Sequence, residues 1–512
     1  MSRAVLTTFD DYQKERIKFV QTIAEMARQA QNIEYLQSAG VMGLLRPLLL
    51  DKVPSIQQTA ALALARLASY SSEIAEAIVS NQVLPQLIDS LSKQNRFYKK
   101  AAAYVLKSVA KHSEYLAQCV IDAGALEALV NCLEDFDPNV KEGAAFALAC
   151  IAKHNNPALA EEVAKAGAIE RLAVCIQDPE TSLKKIATMS LSEIVKHTPE
   201  LAERLANHGA SLRVLTGNLA DRDLELRQHS CTCLANIAKH NEDLAQKVAS
   251  ADLFPKIVDR CLKEEGKEKL QRQAALCFKV IAGCSLSLAR MISDVGGVNC
   301  IVDYLNKAPS AAKLHAIMTL GYVAGFDKDL ARNVVQCKGH IALVNSLKET
   351  DQDHIKAAVA WSLGQIGRHS TELAKDLAEQ SVMKILLKLY TGAEDKSDLK
   401  NMSKHALKSI IQQCQEMNAL EPLLDTATEK IIKHVIAQIA IILKNKPALR
   451  KKFAEKDCLK KLQEIKAPPE SKLQSSINEI NDLFPPEVIQ HYSPDYINVL
   501  IKKVEEQHQH LE

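Results

Sequence analysis

The 512-residue sequence is poor in most features that usually announce chemistry. Aromatic residues make up 4% of it, with a single tryptophan, and 64 basic residues against 62 acidic ones leave a net charge of +2. So even a balance gives no electrostatic reason to place nucleic acid or a membrane surface among the main partners. No apolar run reaches the roughly 18 residues needed to span a bilayer. The start Met1-Ser2-Arg3-Ala4-Val5-Leu6 lacks the apolar core of a secretory signal. The sequence contains no G-x-x-x-x-G-K-[ST], G-x-G-x-x-G, H-E-x-x-H or G-x-S-x-G motif, so no enzyme activity, cofactor or metal is expected. The thirteen cysteines include no C-x-x-C pair, and Cys132, Cys175 and Cys261 fall at one point of a common period. Small core residues of a repeat behave this way, so buried reduced thiols and a reducing compartment are expected.

What the chain does contain is a recurring phrase. It reads Val109-Ala110-Lys111-His112, Ile151-Ala152-Lys153-His154, Ile194-Val195-Lys196-His197 and Ile237-Ala238-Lys239-His240, with the variant Ile366-Gly367-Arg368-His369. The histidine steps are 42, 43 and 43, then 129, which is three further steps of 43; Cys284 and Phe326 stand in the two skipped places. A second marker keeps the same period. A turn position falls at Gly40, Gln82, Gly124, Gly167, Gly209, Asp252, Gly296, Gly339 and Ser381. Two unrelated markers on one period of about 43 residues indicate a helical solenoid.

One period shows how the unit folds. Gly124 suits a turn with positive φ. Leu126, Leu129, Val130 and Leu133 form an apolar stripe at helical spacing, which Asp135-Phe136-Asp137-Pro138 interrupts. Asp137 is placed to cap the next helix, with Pro138 at its first position. Val140, Ala144, Ala147, Leu148 and Ile151 then line one face of a long helix, and Asn155-Asn156-Pro157 opens a short helix ending at Gly167. Three helices in about 43 residues is the armadillo pattern. The expected fold is an all-α, right-handed armadillo-repeat superhelical solenoid whose third, longest helices line a groove. Its lysine–histidine pairs, near the ends of those helices, are expected to meet free carbonyls there rather than to bind metal.

The period divides the chain into an N-terminal helical partial repeat over 1–39, eight regular repeats over 40–380, irregular repeats over 381–466 and a C-terminal helical tail over 467–512. In the tail, Ala467-Pro468-Pro469 and Phe484-Pro485-Pro486 bracket one expected helix, and a final one follows Ser493-Pro494. The tail either closes the solenoid or engages a partner.

Candidate binding residues are few. Arg96, Lys99 and Lys100 cluster at the start of a long helix, as a solvated helix end or as a contact to an acidic protein surface such as a microtubule wall. In armadillo proteins that clasp nuclear-import peptides, the third helix carries a tryptophan and, four residues later, an asparagine that holds the peptide backbone. The corresponding asparagine places here hold Arg66, Ser108, Cys150, Glu193, Asn236, Val280, Tyr322 and Gln365. Only Asn236 matches, and Trp361 is the sole tryptophan, so Asn236, Tyr322, Trp361 and Gln365 are groove candidates without the full ladder. A soluble adaptor or transport receptor for extended peptides is therefore the alternative reading.

Several stretches point to one family. They are Gly40-Val41-Met42 to Asp51, Ile56 to Leu64, Asn95 to Ala103, Leu133 to Pro138 and His354 to His369. Beyond the repeats they include Phe484-Pro485-Pro486-Glu487-Val488-Ile489 and Tyr492-Ser493-Pro494-Asp495-Tyr496. On these residues the chain resembles the sperm-associated antigen six family, armadillo-repeat proteins of the ciliary central apparatus, essentially from end to end. Units around 205–345, with Cys284 and Phe326, match less closely. The resemblance implies a scaffold on the C1 microtubule of the central pair in motile cilia and flagella. Tubulin, neighbouring central-apparatus proteins and further copies of the chain are the implied partners.

Overall fold

A computed structural model describes residues 3–91, 94–469, 471–493, 496 and 501. Among them every regular element is helical. The chain divides into two compact units, Met1–Cys284 and Ser285–Glu512. The final helix expected after Ser493-Pro494 lies outside the described residues.

The local chemistry read from residues 124–167 holds. Gly124 takes φ +84° and Gly167 φ +91°. Between them lie helices Ala125–Cys132, Pro138–Ala152 and Pro157–Lys165. The Asp137 carboxylate accepts a bond from the Asn139 N–H, with Pro138 in the first turn, and the Asn156 side chain accepts from the Ala158 N–H. The long helix buries Val140, Ala144, Ala147, Leu148 and Ile151 completely.

The left-handed turn recurs at Gly40, Gln82, Gly209, Asp252, Gly296, Ser381 and Asp457. One expected position moves by a residue. Lys338, not Gly339, has the positive φ, at +62°. Gly339 instead begins the helix Gly339–Lys348, where an added Cβ would lie 2.7 Å from Val334 Cγ1 and 2.9 Å from the Val334 oxygen. The glycine serves a close approach, and the strained backbone falls on the lysine.

Within the first unit the long helices pack in succession: Arg3–Met26, Pro54–Ala68, Arg96–Ala110, Pro138–Ala152, Thr181–Val195, Leu224–Ala238 and Glu268–Ala282. The opening helix thus fills a long-helix place ahead of the first full repeat. Within the second unit the succession is Leu314–Phe326, Asp353–Gly367, Asp398–Gln413, Glu429–Asn445 and Lys472–Asn481. The last of these comes from the tail and buries Leu473, Ile477 and Ile480. Gly364 and Gly367 both lie buried in the helix Asp353–Gly367.

Within each unit two sets of polar contacts tie successive repeats together, one at either end of the long helices. At the C-terminal ends the histidines reach backwards by a whole repeat. His112 Nε2 lies 2.7 Å from the Ala68 oxygen, His154 2.7 Å from Ala110, His197 2.7 Å from Ala152, His240 2.8 Å from Val195 and His369 2.8 Å from Ala324. A carbonyl only accepts, so Nε2 carries the proton and donates. Neighbouring cations reinforce the contact: Lys111 donates to the Ser69 oxygen at 2.6 Å, Lys196 to the Lys153 oxygen at 2.7 Å, and Arg368 to the Gly325 oxygen. The carbonyls left free at a helix end are thereby satisfied by the following repeat. The expectation of helix-end carbonyls was right, but they belong to the preceding helix. The residue after the phrase then caps the next short helix: Ser113, Thr198, Asn241 and Ser370 accept from the N–H of Leu116, Leu201, Leu244 and Leu373.

At the N-terminal ends a cation reaches forward to an acid of the next repeat. Lys99 pairs with Asp135 at 2.7 Å, Lys141 with Asp178 at 3.2 Å and Lys185 with Asp223 at 3.3 Å. Arg227 pairs with Glu264 at 2.5 Å, and Arg16–Asp51 and Lys313–Glu349 make the same kind of contact. Arg227 Nη2 also donates to Glu264 Oε2 at 2.9 Å, and its Nη1 to the Arg260 oxygen at 2.8 Å.

Candidate functional site

The long helices build their buried faces largely from alanine and branched aliphatic residues. Their other positions are free to vary and line the surface a partner would meet. The sequence-selected residues fall on this surface, but most are engaged inside the protein. Arg96 is the most outward, with 61% of its side chain exposed, 3.5 Å from the Asp137 carboxylate and stacked on Phe97 at 4.9 Å. Lys99 is tied to Asp135, and its ammonium helps hold that carboxyl below its ordinary pKa against the opposing effect of burial. Lys100 donates to the Asn139 side-chain oxygen at 2.8 Å. Asn236 turns to the preceding long helix, donating to Ser192 Oγ at 3.0 Å and to the Ser192 carbonyl at 3.3 Å.

In the second unit Tyr322 and Trp361 meet edge to face, with centroids 5.0 Å apart and planes at 69°. Trp361 also lies over Gly321, where any added Cβ would collide with the ring. Gln365 sits beside Gly325, its Oε1 3.2 Å from where a Cβ would stand. These three residues form one partly buried cluster between successive long helices.

A more open feature went unread in the sequence. Leu62, Tyr104 and Phe146 occupy one position in three successive long helices, each 42 residues after the last and, for Tyr104 and Phe146, eight before the phrase's histidine. With Phe97 they line a cavity of about 410 Å³. Lys107 Nζ lies over two of its rings, 3.7 Å from the Phe146 centroid and 5.0 Å from that of Tyr104. Burial lowers the pKa of this ammonium. Trp361 holds the equivalent place of the period in the second unit, eight residues before His369.

The thiols are structural in character. All thirteen cysteines are free, and ten are buried. Burial pushes Cys132 and Cys175 up to about 11 and Cys233 up to about 12, which keeps them protonated and unreactive. Among the described residues no cluster of histidine, cysteine or acidic side chains could hold a metal ion, and no helix is long and apolar enough to cross a membrane.

Comparison with known proteins gives this helical stack a family. Sperm-associated antigen 6 of Mus musculus is 55% identical over 503 residues, 98% of either chain, and that of Homo sapiens is 54% identical over the same share. The chain belongs to the sperm-associated antigen 6 family. A model of the SIL1/FES1/HPBP1 C-terminal domain also matches residues 116–252, well under half of the chain. Among solved structures, an engineered protein superposes with a TM-score of 0.71 at 26% identity, covering 77% of this chain and 94% of its own. A designed armadillo repeat protein in complex with the peptide (KR)4 aligns over 46% of the chain at 25% identity, with a TM-score of 0.44. The three-helix unit and its period make this member of the sperm-associated antigen 6 family an all-α armadillo solenoid, a scaffold type of protein.

Proposed function

We propose that the chain is a non-enzymatic scaffold of the axonemal central pair, seated on the C1 microtubule of motile cilia and flagella. In this reading it binds the microtubule and neighbouring central-apparatus proteins, associates with further copies of itself, and supports central-pair stability and beating. The regular repeats over 40–380 carry the contacts, and the tail over 467–512 closes the C-terminal end. Arg96 and Lys100 are the outward cations offered to an acidic wall; Asn236, Tyr322, Trp361 and Gln365 shape the long-helix surface beside the partners.

The observation that carries the reading is the 55% identity over 98% of both chains to a protein named for sperm. The physical design is compatible: within each unit successive repeats bury their apolar faces on one another and leave a varied long-helix surface. The test is a clean null in a flagellated cell. Loss or weakening of the central pair, with slowed or paralysed beating, is expected; a normal central pair with normal beating would sink the proposal. Detergent extraction separates the soluble-adaptor alternative, since a scaffold stays with the axoneme and an adaptor washes out.

A further inference from the structure

We infer that the face formed by the long helices Pro54–Ala68, Arg96–Ala110 and Pro138–Ala152 is a docking groove for an extended, acidic segment of a partner protein that also carries bulky apolar side chains. The inference rests on the scaffold reading only in taking the chain to bind other proteins.

The groove has an apolar floor and a cation that makes no direct ion pair. Leu62, Tyr104 and Phe146 repeat along it, and Phe97, 58% exposed, stands at its edge. Lys107 is held half-buried between the Tyr104 and Phe146 rings. Among the described residues it donates to no carboxylate or carbonyl. This sets it apart from the cations at the starts of the same helices, which have acidic partners: Lys99 has Asp135 and Lys141 has Asp178. The single carboxylate lining the groove, Glu142, favours the charged ammonium from a distance but is not in an ion pair with it, and it accepts from Ser182 Oγ at 2.8 Å. Lys100, two turns earlier on the same helix as Lys107, is matched only by the neutral Asn139 amide. Two ammonium groups against one carboxylate leave the groove with one excess positive charge around an aromatic floor.

That combination favours a carboxylate beside an apolar side chain. A partly desolvated ammonium that makes no direct ion pair is stabilised by an incoming carboxylate more than a fully hydrated one would be. The rings pre-position Lys107 for that contact, and their remaining faces accept an apolar neighbour. Extension follows from the spacing. Successive long helices are about 8–10 Å apart, which two to three residues of an extended chain span at about 3.3 Å each. Gln58, on the lining and without a hydrogen-bond partner of its own among the described residues, is placed to bond a main chain.

The experiment uses the full-length chain and a short fluorescent peptide of alternating Glu and Leu, read by anisotropy at low salt. We expect saturable binding, weakened about tenfold or more when Gln replaces Glu in the peptide. Lys107→Glu and the double variant Tyr104→Ala/Phe146→Ala should each weaken binding by a similar factor. Lys185→Glu, outside the groove, should leave it within about twofold. Circular dichroism melts of the same variants separate loss of binding from loss of fold; for a variant that melts early, Lys107→Gln, which keeps length and polarity, replaces it. No binding, or binding equally strong in folded groove variants, overturns the inference. A dimer of the chain alone that Lys107→Glu dissociates also overturns it, because the occupant is then a second copy. A chain that stays with extracted axonemes yet ignores the peptide overturns the groove and leaves the scaffold reading standing.

Discussion

The two ends of the long helices solve the same problem with different chemistry. At the C-terminal ends a histidine N–H meets a main-chain carbonyl 44 or 45 residues upstream, in His112, His154, His197, His240 and His369. At the N-terminal ends a cation meets an acid downstream, 36 residues away for Lys99 and Asp135 and 38 for Lys185 and Asp223. A carbonyl is fixed by the backbone, so only a short, rigid donor at one position reaches it, and the residue type repeats with the period. The ion pairs are made by different residue types, Lys99–Asp135, Arg227–Glu264 and Lys313–Glu349 among them, so neither partner nor spacing stays constant. The first set is therefore visible in the sequence and the second is not, although both join the same repeats.

The sharpest way to break the comparison is at Arg227, whose side chain is 8% exposed and holds Glu264 through two bonds. Arg227→Ala should cost about 2 kcal/mol, since it removes two charged bonds and packing while Glu264 remains partly solvated. Amide exchange in Leu224–Ala238 and Glu268–Ala282 would register it. His240→Ala should cost about 1 kcal/mol by leaving the Val195 carbonyl unmatched, while His240→Gln, which can still donate from a similar distance, should recover most of it. The skipped place at Cys284 offers the converse. Its sulfur stands 3.8 Å from the Ala238 oxygen, a weak contact. Cys284→His should add about 0.5–1 kcal/mol to the thermal stability of the first unit.

The two sets also differ in their response to solvent. Burial lowers the pKa of His112, His197, His240 and His369, outweighing the favourable carbonyl bond. The folded state then binds protons less readily than the unfolded chain. Their contribution is complete above the unfolded value of about 6.5 and is lost as pH falls below it through the folded values. Melting temperature should drop over that window, and less in a variant with several of these histidines changed to glutamine. Raising salt should weaken the partly exposed pairs Lys99–Asp135 and Lys185–Asp223 by a few tenths of a kcal/mol each and leave the histidine contacts nearly unchanged. This is the smallest of the expected effects.

The same contrast explains what was legible. The period, the three-helix unit, the Asp137 and Asn156 caps and most turn positions follow from rules that act over a few residues. Gly339 misled because two requirements compete there: a left-handed turn and a close approach to Val334, with the glycine given to the second. Lys99 was read as surface because its partner Asp135 lies 36 residues away, too far for any local pattern. Asn236 fitted a peptide-binding pattern by position, yet its amide is taken by Ser192 of the preceding helix. The aromatic residues Tyr104, Phe146 and Trp361 keep the period, but Met189, Thr232, Leu276 and Met318 stand at the places between Phe146 and Trp361, so the aromatic floor emerges only when the neighbouring helices that carry Leu62, Tyr104 and Phe146 are seen together.

That the recurring phrase fastens one repeat to the one before it is tested most directly by amide exchange on His240→Ala. We expect faster exchange in the last turn of Thr181–Val195, whose Val195 carbonyl has lost its donor, with Leu224–Ala238 little changed. Faster exchange confined to Leu224–Ala238, the histidine's own repeat, would contradict it.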